Sequence, residues 1–515
     1  MKVYNQSLTI QKLLEIYFIT LNLHSKPKVR KVFTRIYQTQ FYQRIRHTDI
    51  FRTLIHSQNY FLARIVTLGL AFITLPIFTR ILTVEDYGIV SVYNAYVGIA
   101  TVLFSANIHG SVARYYYEDK SDFSDFLGTT LVLILVTFPI TTSIFLLFLK
   151  EFTALMNLPT LLPLLLILSG LFGTINSTYI QLIVAQRKSL EFAIVSVLSS
   201  FFSIILAIIF ILSLNENRYL GQIIAYLSIA LIFSIYFMSR ILSNARITFR
   251  KRYIKYILAF SIPLIPYYLS SNILAFFDRI MINITIDSAA AGVYSLGYNI
   301  GMLLSIVISA TQAALMPDFY NFLNTKQYLR LDVLIRKVFS LITIAALTLI
   351  LFTDEIVLIL VAGKFQEGKI VVPIVVVSYI FYGMYEVYGR YIGYVKKTFY
   401  SSLAFIISGL TNIILNAIFI PQYGYIAAAY TTAISYFILF LINWFITNLI
   451  LKLKTTPLLI IWKPTILFFL ILFVFPVFTM QISNFLLLII IKIIIISLFG
   501  FLLFHRELKK LFTPV

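Results

Sequence analysis

Phe78-Thr79-Arg80-Ile81-Leu82 closes one apolar run of the chain, and Phe277-Asp278-Arg279-Ile280-Met281 closes another in its second half. A glycine-led segment follows each: Gly88 running on to Tyr93-Asn94, and Gly292 running on through Tyr294 and Ser295 to Tyr298-Asn299. Further along, Ser203–Phe210 (SIILAIIF) answers Asn412–Phe419 (NIILNAIF), and Gly221 and Gly424 then open the next apolar run in each half. The chain contains a long piece of itself twice. Two similar halves in a membrane protein put a site between two lobes and let it face each side of the bilayer in turn, which is the architecture of a transporter.

Composition places the chain in the membrane. Its 515 residues are 60% hydrophobic and only 12% charged, against roughly half and a quarter in soluble domains. Apolar runs of about 20 residues recur along nearly the whole length, enough to cross about 30 Å of hydrocarbon as helices. The alternating pattern of a membrane barrel is absent. There is no cysteine, so disulfides, thiolate metal sites and cysteine nucleophiles are excluded, and none of the five histidines pairs at metal-ligand spacing. No cofactor is expected.

The expected spans are 58–82, 88–109, 126–149, 159–184, 190–213 and 220–242, then 256–282, 290–316, 334–360, 370–395, 399–420 and 425–451, with a final pair at 457–478 and 484–504. The net charge of +21 reads as topology and not as nucleic-acid binding. The richest basic loop is Arg240 to Lys255; Arg187-Lys188, Lys326 to Lys337, Lys396-Lys397, Lys452 with Lys454, and Arg506 with Lys509 and Lys510 fall on the same side. Basic loops mark the cytoplasmic face, so both termini are expected there. The opposite loops are short and carry Glu85-Asp86, Glu216, Asp287, Asp354-Glu355 and Glu367.

The expected organisation is a basic, partly amphipathic cytoplasmic extension (1–57) and a six-helix lobe (58–243). A basic cytoplasmic linker (244–255) leads to a second six-helix lobe (256–452), and an extra helix pair with a basic tail (453–515) closes the chain. Both lobes start from the same face, so the repeat is parallel.

The stretch from Tyr60 through Arg64 to Arg80 and on to Asp86-Tyr87-Gly88 resembles the first span of polysaccharide flippases of the Wzx type. Their superfamily also holds peptidoglycan lipid flippases and multidrug and toxin extruders. Val112-Ala113-Arg114 with Glu118, Ser261-Ile262-Pro263 with Pro266, Asp278-Arg279, Gly363-Lys364-Phe365 and Pro421 to Gly424 agree with it. The resemblance covers about residues 58–450. It implies a V-shaped, alternating-access protein of the bacterial inner membrane, not an enzyme. Its implied task is to carry a polyprenyl-pyrophosphate-linked oligosaccharide from the cytoplasmic to the outer leaflet. Membrane lipids are the implied surroundings and the polysaccharide polymerase machinery an implied partner.

Charged residues inside spans are expensive and point to function. Arg64, Arg80, Arg279 and Arg390, with Arg114 at the end of the second span, are the candidate substrate-binding cations, because arginine stays charged and meets phosphate bidentately. For Arg80 and Arg279 the alternative is snorkelling at an interface. Glu386 and Arg390 share one helix face, and Tyr382 and Tyr385 belong to a run of tyrosines expected to form one stripe beside them, suited to sugar rings. Glu386 and Asp278 are the ion-coupling candidates; for Asp278 the alternative is a structural ion pair. Tyr115, Tyr116 and Tyr117 are expected in an interfacial aromatic belt. Lys492 lies deep in the last span without an assigned role.

Two other readings compete. A multidrug extruder exports cations and wants an acidic cavity, which the basic excess inside these spans opposes. A polysaccharide polymerase or ligase needs a substantial outer loop, and the loops here are short.

Overall fold

The structure, a computed structural model, describes residues 49–479 and 484–512. The expected extension 1–57 lies almost wholly outside the described residues, as do the side chains of the basic tail. Among the described residues, fourteen stretches of helix are long and apolar enough to span a membrane. They match the expected fourteen in number and place.

The first half begins with α1 (Asp49–Ile81), α2 (Val84–Ser105), α3 (Gly110–Glu118) and α4 (Phe123–Leu147). α5 (Leu149–Met156), α6 (Leu161–Ala185), α7 (Ser189–Ser213) and α8 (Arg218–Leu242) complete it. The second begins with α9 (Lys251–Ser261), α10 (Ile265–Thr285), α11 (Ser288–Gly301) and α12 (Leu304–Asn324). It continues through α13 (Tyr328–Leu351), α14 (Thr353–Leu360), α15 (Val371–Tyr394), α16 (Thr398–Tyr423) and α17 (Tyr425–Phe445). The closing pair is α18 (Leu458–Thr479) and α19 (Phe485–Phe512).

Within the first half α7 packs on α1 and α8, and α6 on α2 and α8; within the second, α17 packs on α15 and α16, and α16 on α10. The halves meet chiefly where α2 crosses α10 and α11. At that crossing the two repeat glycines face each other. A Cβ on Gly88 would stand 1.7 Å from the Ser288 carbonyl oxygen, and one on Gly292 2.3 Å from that of Val84. Equivalent positions in reciprocal contact are what a pseudo-twofold relation between the halves requires, and only hydrogen side chains allow backbones this close.

Two departures from the expected spans have local causes. The seventh begins earlier, at Lys251, because α9 buries Tyr253, Ile257 and Ser261 against the first half before Pro263 and Pro266 interrupt the backbone. Its approach is tight: a Cβ on Gly128 would lie 1.8 Å from the Arg246 carbonyl oxygen. The linker is also tied by charge, with Arg246 and Arg250 on Asp125 and Arg252 near Asp119 and Asp122. Secondly, of the tyrosines after the second span, Tyr115 departs from the expected interfacial belt. Tyr115 is buried, stacked 3.8 Å from Phe126 and donating to Asp122, while Tyr116 packs edge-on against Phe123 and Tyr117 is exposed.

The closing pair rests on α13 and is locked by charge. Lys492 of α19, 3% exposed, donates to both carboxylate oxygens of Glu355 in α14 at 2.6 and 2.8 Å. An ammonium deep in an apolar span is tolerated because it is paired, and this gives Lys492 its role.

Candidate functional site

The repeat arginines keep their equivalence in a shared local bond. Arg80 and Arg279 each fold back onto the carbonyl four residues earlier, Pro76 at 2.8 Å and Ala275 at 3.0 Å. Their surroundings then diverge. Arg80 is exposed at the end of α1. Arg279 is buried, its guanidinium 4.6 Å from the Tyr298 ring centroid and 5.3 Å from that of Phe276. Its Nη2 donates to Asn299 Oδ1 at 3.3 Å, and Asn299 in turn donates to the Tyr87 hydroxyl at 3.1 Å. Tyr87 belongs to α2, so Arg279–Asn299–Tyr87 is a polar chain across the junction of the halves.

Asp278 points away from Arg279, as the roughly 100° step along a helix dictates. Its carboxylate accepts from Tyr294, Thr432 and Asn416, and Asn416 is held by Asn412 at 3.1 Å and by Thr431. Asp278 forms no ion pair with any described residue; its partners are neutral hydroxyls and amides from α11, α16 and α17. Among the described residues no cluster of three His, Cys, Asp or Glu is placed to hold a metal.

On α15 the Glu386–Arg390 pair is present but loose, at 4.0 Å, and the Tyr382 hydroxyl donates to Glu386 at 2.9 Å. Arg390 keeps only 15% side-chain exposure, yet its Nε and Nη1 are buried without a hydrogen-bond partner. An unsatisfied buried donor costs about 1–3 kcal/mol, more when charged, so these two nitrogens are available to an incoming acceptor.

The tyrosines of α15 do not form the single stripe expected. Three residues turn a helix by about 300°, so each successive tyrosine lags by about 60° and the run winds around the axis. Tyr382 and Tyr385 pack with Tyr436 and Phe405; Tyr388 and Tyr391 are buried and bonded to Thr456; Tyr394 donates to Asn324. Tyr382 and Tyr385 alone stay beside Glu386 and Arg390.

Arg114 is held by Glu118 at 2.6 Å and lies over the Phe260 ring, tying α3 toward α9. Arg64 is exposed on α1, and its side chain meets no described partner. No contact joins Arg64, Arg80 or Arg114 to the Arg279 or Arg390 groups among the described residues. Sequence reasoning missed Tyr87, Asn299, Asn412 and Asn416 as site residues. The Asn412–Asn416 spacing, four positions apart in an apolar run, was the available signal.

The family model described as polysaccharide biosynthesis protein matches residues 58–323. A Haemophilus influenzae protein of the Lsg locus is 24% identical over 395 residues, covering 71% of this chain and 92% of its own. An uncharacterised membrane protein of the same organism is 27% identical over 278 residues, 53% of this chain and 65% of that one. Among solved structures, the lipid II flippase MurJ in its inward closed conformation superposes with a TM-score of 0.70 at 16% identity, covering 88% of this chain and all of that one. An inward-facing multidrug resistance transporter of the MATE family gives 0.54 at 15% identity, covering 78% and 96%. At such identities these two speak for the fold alone: an all-helical membrane transporter architecture. With the family model covering more than half of its length, the chain belongs to the polysaccharide biosynthesis protein family.

Proposed function

We propose that the chain flips a polyprenyl-pyrophosphate-linked oligosaccharide from the cytoplasmic to the outer leaflet of the bacterial inner membrane, by alternating access between lobes 58–243 and 256–452. Both termini and the Arg240–Lys255 loop lie in the cytoplasm in this reading, and the polysaccharide polymerase receives the product. The carrying observation is Arg390, a part-buried side chain whose Nε and Nη1 are buried and unpartnered, beside Tyr382, Tyr385 and Glu386. It takes the pyrophosphate, and Arg279, Arg80, Arg64 and Arg114 supply a cationic route to and from it. Release then needs a competitor for the arginine. Glu386 stands 4.0 Å away for that purpose, and Asp278 is the second group through which an ion gradient acts.

In cells that depend on this chain, Arg390→Ala should abolish surface polysaccharide at normal protein levels, with Arg390→Lys only partly active because it lacks the bidentate fork. Wild-type polysaccharide from Arg390→Ala would remove the arginine from the mechanism. Asp278→Asn keeps the shape of its hydrogen-bond nest but not its charge. Transport by it that still responds to a dissipated ion gradient would rule Asp278 out as the coupling group.

A further inference from the structure

Arg279, Asp278, Glu386 and Arg390 all belong to the second half. The first half has a cleft of different chemistry. A cavity of about 290 Å³ opens between α2, α6, α7 and α8, and no charged side chain lines it. Its polar lining is hydroxyl and carboxamide, and includes Tyr93, Asn94, Ser169, Asn176, Ser203 and Tyr226. The Tyr93 and Ser169 hydroxyls are 2.7 Å apart, which fixes that wall. Asn94 and Asn176 are exposed into the cleft, and neither carboxamide is bonded to another described residue.

Free carboxamides that offer both donor and acceptor, mixed with hydroxyls and aromatic faces, match one ligand class. A saccharide ring presents alternating hydroxyls at its rim and apolar C–H faces above and below. A phosphate would want a cation, a cationic drug a carboxylate, and a prenyl chain a wall without amides; the cleft offers none of these. The volume is at the lower end of small-ligand sites, roughly 300–1,000 Å³, and suits a short stretch of sugar and not a whole repeat unit. Its position fits as well, because Tyr226 in its lining interacts electrostatically with Tyr87, the first-half end of the chain to Arg279.

We propose that this cleft is the sugar subsite of the substrate: Asn94 and Asn176 hydrogen-bond the saccharide while the pyrophosphate lies with the arginines of the second half. Each half then holds a different part of one molecule, and binding depends on both. The proposal rests on the flippase reading above.

The test uses the cysteine-free full-length chain in nanodiscs with a single Ser203→Cys, a near-isosteric change. Two probes are compared: lipid-linked oligosaccharide extracted from cells that make this chain, and polyprenyl pyrophosphate without sugar. Binding of each is measured directly, alongside the rate of labelling by a small maleimide. The sugar-bearing lipid should slow labelling at least tenfold, and the sugar-free lipid should leave it unchanged. Equal slowing by both would assign the cleft to phosphate or prenyl chain and overturn the proposal. Binding of the sugar-bearing lipid without any slowing would overturn it too, with the flippase reading intact. Failure of both lipids to bind would take down both. As a second readout, Ala230→Trp fills the cleft; it should erase the preference for the sugar-bearing lipid while keeping affinity for the other, and an undiminished preference would contradict the assignment.

Discussion

Gly88→Ala probes how the halves are held together. The added methyl would stand 1.7 Å from the Ser288 carbonyl oxygen and 2.7 Å from its carbon, where unstrained carbon contacts lie at about 3.5–4.0 Å. The obstacle is backbone, so no rotamer change relieves it; α2 and α11 have to part by more than about an ångström. Overpacking of this kind costs about 1–3 kcal/mol, equivalent to a shift of about 5- to 150-fold against the packed arrangement. Ser295, buried and three residues beyond Gly292 on α11, reports the separation when replaced by cysteine. Gly88→Ala should raise its labelling rate by a small maleimide within that range. Gly69→Ala serves as the control, since nothing lies within 4 Å of a Cβ there. If Gly88→Ala labels at the rate of the parent, the glycine crossing does not control the junction of the halves.

Three further outcomes are expected. Lys492→Met and Glu355→Gln should each cost about 3–5 kcal/mol by stranding one buried charge, whereas the double variant should recover most of it; thermal unfolding of the four proteins checks this, and additive losses would contradict the pairing. The carboxyls of Glu118 and Asp122 are held below their ordinary range, Glu118 by hydrogen bonds from Tyr256 and Arg114, Asp122 by those from Tyr253 and Tyr115. A depressed carboxyl stabilises above its unfolded pKa and loses that contribution as pH falls through the folded value. A spin label at Ile247→Cys should therefore stay immobile from neutral pH to about 4 and loosen below it; loosening already near pH 6 would implicate other groups. At the opposite junction Lys364 donates to the Leu82 carbonyl and Phe365 meets the Tyr87 ring edge-on at 5.4 Å. Lys364→Met should also raise labelling at Ser295→Cys, by less than Gly88→Ala because no backbone is displaced.

The spans and the repeat were legible because membrane helices announce themselves by length and apolarity, and because equivalent residues such as Arg80 and Arg279 keep their order. What stayed hidden depends on tertiary contact. Nothing in the neighbourhood of Lys492 names Glu355, and nothing near Asn299 names Tyr87. The tyrosines of α15 misled because a period of three resembles a stripe over two members and winds away over six. The cleft was least visible of all, since serines and asparagines scattered over four helices become a lining only when those helices pack.

The central claim is transport of a lipid-linked oligosaccharide, and reconstitution measures it directly. Purified chain is placed in liposomes carrying polyprenyl-pyrophosphate oligosaccharide in both leaflets, and sugar in the outer leaflet is oxidised with membrane-impermeant periodate. Liposomes without protein should expose only their outer-leaflet share. With the chain present nearly the whole pool should become oxidisable, and Arg390→Ala should return it to the protein-free level. An oxidisable fraction that the wild-type chain leaves at the outer-leaflet share would contradict the account.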